Sequence, residues 1–465
     1  MSQSGLDAAR AKMTEAGVDP VAIDVFAAYY AQLEQGRTGI IPEDSISPLT
    51  DPPMLDDITV DDAAAAEALD HTVIIKLNGG LGTSMGLDRA KSLLPVRDGK
   101  TFLDILVGQI RAARRQYGAR LPLLLMDSFN TRDDTLAHLA QYPDIAVDGL
   151  PLDFLQNREP KLRADDLTPV EFPADPRLEW CPPGHGDLYT ALLGSGVLDA
   201  LLDKGYRYAS VSNGDNLGAT PNARIAGWFA SSGAPYAAEL CRRTINDRKG
   251  GHLAVRRSDG RLILRDTAQT APEEMDYFTD ENRHPYFHTN NLWFDLRALR
   301  DVLAERHGVM GLALIRNEKT VDPRDSSTTP VVQVESAMGA AIEVFEGATC
   351  ICVDRSRFLP VKTTNELLLL RSDVYRLDES DHLVKTTDTT CAVDLDKEFY
   401  KKVGDFERRV PEPPSLREAT SLTVVGDVTF GSGVVVRGDA RVEAEQAASI
   451  PDGAVLSGDV VPSSR

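Results

Sequence analysis

An apolar run, Thr72-Val-Ile-Ile75, leads directly into Lys76-Leu-Asn-Gly-Gly-Leu-Gly-Thr-Ser-Met-Gly86-Leu-Asp-Arg-Ala-Lys91. The run reads as a buried strand and the glycines as the loop that ends it. Without a Cβ, glycine lets backbone N–H groups come close to a phosphate chain, and the ammonium of Lys91 lies within reach of phosphates held there. Gly79, Gly80 and Gly82 in a turn with no ligand would lose conformational entropy with nothing to offset it. Two familiar phosphate loops do not fit. A Walker A loop places lysine after glycine, whereas Lys91 follows Ala90, and a dinucleotide fingerprint needs Gly-x-Gly-x-x-Gly with an acidic residue downstream. The chain therefore carries a third kind of nucleotide loop.

The rest of the sequence narrows the class. A length of 465 residues predicts about two or three domains. The net charge of −21 argues against binding a nucleic-acid backbone, which relies on clustered Lys and Arg, but leaves room for a mononucleotide and a few local cations. No apolar run approaches the ~18 residues of a membrane span. The Met1-Ser-Gln-Ser start lacks the basic and apolar regions of a secretory signal. The five cysteines, Cys181, Cys241, Cys350, Cys352 and Cys391, form no Cys-x-x-Cys pair, so neither disulfides nor a structural zinc are expected. These features predict a reduced, cytoplasmic setting with no membrane and no nucleic-acid partner.

Three regions follow from patterning. Residues 1–69 read as an N-terminal helical arm and a wrapping segment. Asp19-Pro20 opens a helix whose apolar face is Val21, Val25, Phe26, Tyr29 and Leu33, with Gly36 as terminator. Residues 70–410 alternate apolar runs (Val73–Leu77, Leu121–Met126, Tyr208–Val211, Tyr236–Leu240) with helical stretches. One helix starts at Thr101 with Asp104 at its third position, continues through Leu103, Leu106, Ile110 and Tyr117, and stops at Gly118. Thr131 with Asp134 is expected to open another. This alternation predicts an α/β domain with a mixed or mostly parallel sheet and ligands at the strands' carboxyl ends. Beyond Pro411-Glu-Pro-Pro414, residues 411–465 carry two columns at a spacing of six, Leu422/Val428/Val434/Ala440 and Val424/Phe430/Val436/Val442. That register predicts a short parallel β-helix in need of a cap, such as another subunit.

Several polar motifs are expected at strand ends. Pro182-Pro-Gly-His185-Gly-Asp187 has the small residues that permit close approach to a flat base. In Ser212-Asn-Gly-Asp-Asn-Leu-Gly218, Asp215 is the candidate ligand for Mg²⁺, which takes oxygen donors and bridges phosphates, and Asn213 is a candidate for a sugar hydroxyl. His288-Thr-Asn290-Asn291 offers amides that both donate to and accept from a polyol. Lys362, after Phe358-Leu-Pro-Val361, supplies a second cation.

Taken in order, these motifs resemble those of the UDP-glucose pyrophosphorylases over roughly residues 70–375. Leu125-Met-Asp-Ser-Phe-Asn-Thr131, Phe154-Leu-Gln156, Lys249-Gly-Gly251, Ala268-Gln269 and Glu335-Ser-Ala-Met-Gly-Ala340 agree. The resemblance implies a Rossmann-like nucleotidyltransferase domain of α/β class with a mixed sheet, the helical arm, and a short left-handed parallel β-helix at the C-terminus. It implies that Leu77, Asn78, Gly79, Gly80, Leu81, Gly82, Met126, Gln156, Gly184 and His185 hold the uridine end of UTP. It places Asn213, Asp266, His288, Asn290 and Lys362 around glucose 1-phosphate, Lys91 and Lys362 in catalysis, and Mg²⁺ on Asp215. Three departures stand out: Ala90 where the family usually has proline, His288 where it often has asparagine, and Asp266 where it has glutamate. Two of these fall in the sugar region.

The implied reaction joins UTP and glucose 1-phosphate into UDP-glucose with release of pyrophosphate. The sugar phosphate is already ionised near neutral pH and needs no general base. Two rivals remain at this point. One is the same chemistry on galactose 1-phosphate or N-acetylglucosamine 1-phosphate. The other is a non-catalytic nucleotide-sugar binding module. Association of subunits through the β-helix is also open.

Overall fold

The computed structural model describes residues 3–244, 247 and 250–464. Lys249 of the Lys249-Gly-Gly251 motif lies outside them. The core is a mixed, ten-stranded sheet. Its parallel part runs Tyr208–Asn213, Thr72–Asn78, Leu123–Asp127, Asp153–Leu155. Tyr286–Asp295 continues the sheet antiparallel to Tyr208–Asn213, and Tyr236–Arg242 pairs antiparallel with it and parallel with Thr349–Cys352. Successive side chains point to opposite faces of a strand. Val73, Ile75, Leu124 and Met126 thus enter one apolar cluster, while Ile74, Leu123 and Leu125 enter another. Both faces are covered, which explains why these strands read as unbroken apolar runs. The run at Leu121–Met126 begins its strand only at Leu123, because Leu121 has φ 35°.

The helix Phe102–Tyr117 starts and ends as its sequence predicts. Thr101 Oγ1 accepts from Asp104 N at 3.1 Å, Asp104 Oδ2 accepts from Thr101 N at 2.8 Å, and Gly118 (φ 65°) donates to Arg114 O at 2.9 Å. The helix Arg132–Leu139 does follow Thr131, but the threonine hydroxyl does not cap it. That hydroxyl accepts from Ser128 N at 3.0 Å and donates to Asp127 Oδ1 at 3.2 Å, so it serves the strand end instead.

The arm opens with two helices, Gln3–Glu15 and Pro20–Glu34, and the wrapping segment ends in a third, Asp62–Asp70. Asp19 caps the second through Val21 N at 2.8 Å. Its buried face is Ile23, Phe26, Tyr29, Tyr30 and Leu33, with Val21 and Val25 only half-buried at the edge. The apolar stripe is rotated because the helix packs against Leu162, Leu314, Val332 and Val334 on one side.

At the C-terminus, Ala392–Leu395, Ser415–Val425, Val435–Glu443 and Val455–Val460 stack as parallel strands. Leu422 faces Ala440 and Val424 faces Val442, a register of 18 residues, or three hexads. Both predicted columns are buried throughout. The stack includes Ala392–Leu395, N-terminal to the Pro411–Pro414 linker, and shares one apolar cluster with Phe102, Leu106 and Leu367. No helix of the described residues is long and apolar enough to cross a membrane.

Candidate active site

The parallel strands end level with one another. Asn213 pairs with Leu77, Leu77 with Met126, and Met126 with Phe154. The polar segments that follow therefore emerge side by side at the carboxyl edge, where open α/β sheets bind ligands.

The glycine loop is shaped by two left-handed residues, Gly82 (φ 67°) and Gly86 (φ 74°), around a single 3₁₀ turn at Thr83–Met85. Met85 and Ala90 are buried and pin the loop, while Gly80 has open space around its Cα. Lys91 N donates to Gly80 O at 3.2 Å and so closes the loop on itself. On one flank Ser128 Oγ donates to Gly79 O at 2.9 Å, and Gln156 Nε2 donates to Gly184 O at 3.2 Å. Gly184 is irreplaceable on geometry, since its φ is 78° and a Cβ there would stand 2.6 Å from Ser336 O. His185 Nδ1 accepts from Met338 N at 2.9 Å, and burial holds its imidazole below the usual range and hence neutral. Gln156, Gly184 and the glycine loop thus form one wall.

The centre of the cleft brings the charges together. Lys91 Nζ donates to Asp215 Oδ2 at 2.6 Å and also to Val361 O. Lys362, the next residue, is exposed, and no hydrogen bond or ion pair engages it among the described residues. Asn213 is half-buried, and its carbonyl accepts from Asn216 N at 3.1 Å. Among the described residues no three His, Cys, Asp or Glu side chains cluster as a closed metal cage. A lone carboxylate beside phosphate positions nonetheless fits Mg²⁺, which keeps several waters and binds through one or two carboxylates plus phosphate oxygens.

The far wall is built on a bulge. Ala238 pairs with Leu292 and Leu240 with His288, so Glu239 faces the three residues between. Asn290 takes up the extra length at φ 60°, a conformation that non-glycine residues adopt mainly at special sites. His288 is buried beneath it. Its Nδ1 accepts from Asn290 N at 3.0 Å, and burial pushes its pKa down to about 4. The histidine therefore supports the turn as a neutral acceptor, and Asn290 is the residue presented outward. Asp266 is half-buried, with its backbone N–H donating to Gln269 Oε1 at 3.0 Å. Asn78, expected among the nucleotide contacts, gives its amide to Asp127 Oδ1 at 2.6 Å and Thr135 Oγ1 at 3.0 Å. It braces the glycine loop from behind.

A buried polar layer lies under this surface. Glu239 receives Arg357 through Nε and Nη2, both at 2.8 Å, together with Trp293 Nε1 at 2.9 Å and Asn291 Nδ2 at 3.1 Å. Burial, the largest single influence, would raise the Glu239 pKa, but the Arg357 charge and the hydrogen bonds from Arg357, Trp293 and Asn291 together outweigh it and hold the carboxyl below the usual range. Lys76 Nζ donates to Ser212 Oγ at 2.7 Å and Ala219 O at 2.8 Å, and burial pushes its pKa down to about 7. Sequence reading assigned no role to Lys76, Glu239, Trp293 or Arg357, and it offered Asn291 as a polyol amide, whereas Asn291 is buried with its amide given to Glu239 and Arg357 O. The available signal was a charge inside an apolar strand, Lys76 after Ile75 and Glu239 after Ala238, because such charges are buried only when partnered.

Comparison with known proteins gives the family. A family model described as UTP–glucose-1-phosphate uridylyltransferase matches residues 23–437. The chain belongs to that family. It is 39% identical to the UTP–glucose-1-phosphate uridylyltransferase of Solanum tuberosum over 425 residues, covering 90% of this chain and 85% of the relative. It is 40% identical to that of Saccharomyces cerevisiae, covering 84% and 78%. A UDP-glucose pyrophosphorylase from Leishmania major, solved in complex with UDP-glucose, superposes with a TM-score of 0.92 at 42% identity, covering 99% and 100%. Ala90 was the first of the departures expected from the resemblance. Its backbone sits at φ −52°, ψ 128°, which a proline would also hold, so the loop keeps its course.

Proposed function

We infer that this chain catalyses the reversible transfer of a uridylyl group between UTP and glucose 1-phosphate, giving UDP-glucose and pyrophosphate. The observation that carries the reading is the meeting of Lys91, Asp215 and the Val361–Lys362 segment beside a glycine loop. A sugar-phosphate oxygen attacks the α-phosphorus of UTP, and the bond to the β-phosphate breaks as pyrophosphate leaves. The protein's part is to hold two anions in line and to neutralise the charge that develops. Gly79–Gly82, Leu77, Leu81, Met126, Gln156, Gly184 and His185 hold the uridine end, with Asn78 bracing the loop. Lys91 binds the UTP phosphates and Lys362 the transferring group. Asn213, Asp266 and Asn290 surround the sugar phosphate, supported by His288. Asp215 would hold Mg²⁺, which would supply positive charge against the phosphates.

The same reading treats residues 1–69, 70–410 and 411–465 as arm, catalytic domain and C-terminal domain. It treats the C-terminal stack as a short left-handed β-helix with an edge free to meet a second copy. Five cysteines buried without a disulfide suit a reducing cytoplasm. The deciding experiment is pyrophosphate release from UTP and Mg²⁺ with glucose, galactose and N-acetylglucosamine 1-phosphates. Preference for glucose 1-phosphate supports the reading, preference for another sugar moves the substrate, and UTP binding without release leaves only a binding module.

A further inference from the structure

Asn216 follows the proposed metal ligand and is 1% exposed. Its amide donates to Asn291 Oδ1 and Arg357 O, both at 3.1 Å. Its oxygen accepts from Gly218 N at 3.2 Å and Leu359 N at 2.8 Å. A primary amide has two donors and two acceptor sites, and here all four are filled by protein. Two of these partners, Arg357 O and Leu359 N, belong to the segment that ends in Val361 and Lys362. A single β-bridge between Asn216 and Pro360 lies alongside. One side chain thus fastens the turn carrying Asp215 to the segment carrying Lys362, and both to the strand carrying Asn290. The Glu239–Arg357 pair anchors the far end of that segment, where Arg357 Nη1 also donates to Thr220 O at 3.1 Å.

We propose that Asn216 is a positioning residue for transfer, setting Lys362 against the Asp215 turn without touching substrate. The proposal rests on the uridylyl-transfer reading. Its effect falls on the transition state, because the lysine must meet charge that develops only as the bond breaks. The residues read as the uridine wall, Gly79–Gly82, Gln156 and Gly184, share no hydrogen bond with Asn216 among those described, and Lys91 keeps its own ion pair to Asp215 and its bond to Gly80 O, so UTP affinity is spared.

The test is a double-mutant cycle with Asn216→Ala and Lys362→Ala, reading kcat for pyrophosphate release and, separately, the Kd for UTP by calorimetry. Residues acting through one another give non-additive effects, whereas independent ones multiply. Asn216→Ala is expected to lower kcat roughly 30- to 100-fold while the Kd for UTP stays within about threefold. The double variant is expected to be no more than about threefold slower than Lys362→Ala alone. Multiplying losses, a kcat within about threefold of the parent, or UTP affinity falling in step with kcat would each overturn the proposal. If Asn216→Ala does not fold, Asn216→Ser enters the same cycle with the same criteria. A parent enzyme that releases no pyrophosphate sinks the functional reading, whereas an active parent with an additive cycle sinks only this one.

Discussion

Lys91 and Lys362 have unlike surroundings for the same charge. Lys91 is held by Asp215 and Val361 O, while Lys362 is exposed at the cleft. Each is expected to matter in proportion to the phosphate charge it meets. Alanine at either position should lower kcat about 10²–10³-fold with an unchanged circular dichroism spectrum and melting curve. Normal turnover in Lys362→Ala would remove its catalytic role. Asp127 makes a different kind of prediction. Burial pushes its pKa up to about 7, and its Oδ2 has no partner, while Oδ1 accepts from Asn78 and Thr131. Between its ordinary value and about 7 the folded chain holds a proton that the unfolded chain has lost. Stability therefore falls as pH rises through that window and is lowest above it. Asp127→Asn keeps the acceptor and removes the charge. The variant should match the parent near pH 4 and exceed it by on the order of 2 kcal/mol at pH 8, read from urea unfolding.

At the scale of elements, the legible parts were those with local causes. The strand Thr72–Asn78, the capped helix Phe102–Tyr117 and the six-residue columns from Leu422 to Val442 were visible because each carries its own period or punctuation. The helix Gln3–Glu15 was missed, since its apolar stripe of Leu6, Ala9 and Met13 is narrow and gains meaning only against the second helix. The Glu239–Arg357 layer was missed because its partners lie 118 residues apart, and no local pattern joins them. The bulge at Asn290 depends on the length of the facing strand, so the motif showed amides without showing which one is aimed outward. Loop entry offers a test of local fit. Ala90 is at φ −52° and, among the described residues, its N–H is in no hydrogen bond. Ala90→Pro should therefore raise stability by about 0.4–1 kcal/mol in a thermal melt by stiffening the unfolded chain.

In the whole molecule, the arm is tied to the body by charge as well as packing. Arg265 is fully buried and bonded to Glu43 and Glu274, and Glu43 also takes Arg283 and His284. Removing Glu43 leaves Arg265 half-compensated in a dry site. Glu43→Ala is expected to cost about 3 kcal/mol, measured by denaturant unfolding, and an unchanged midpoint would show the arm to be held by packing alone. The opposite end is open. Val455–Val460 pairs on one side only among the described residues, and Val455 and Val461 are 55% and 89% exposed. If that edge joins two copies, Val455→Asp with Val461→Asp should shift light-scattering mass from dimer or higher to monomer with activity kept.

The Lys91 ammonium donates to a carbonyl 270 positions later, and strands beyond residue 415 complete the core around Phe102 and Leu106. A ribosome therefore releases the first half of this centre long before the second. Contacts so distant in sequence close late, after local helices and hairpins have formed. Regain of turnover in a refolding experiment thus times the last event rather than the first. A polypeptide terminated early would be silent as a catalyst and would present bare apolar surface to the cell's chaperones and proteases.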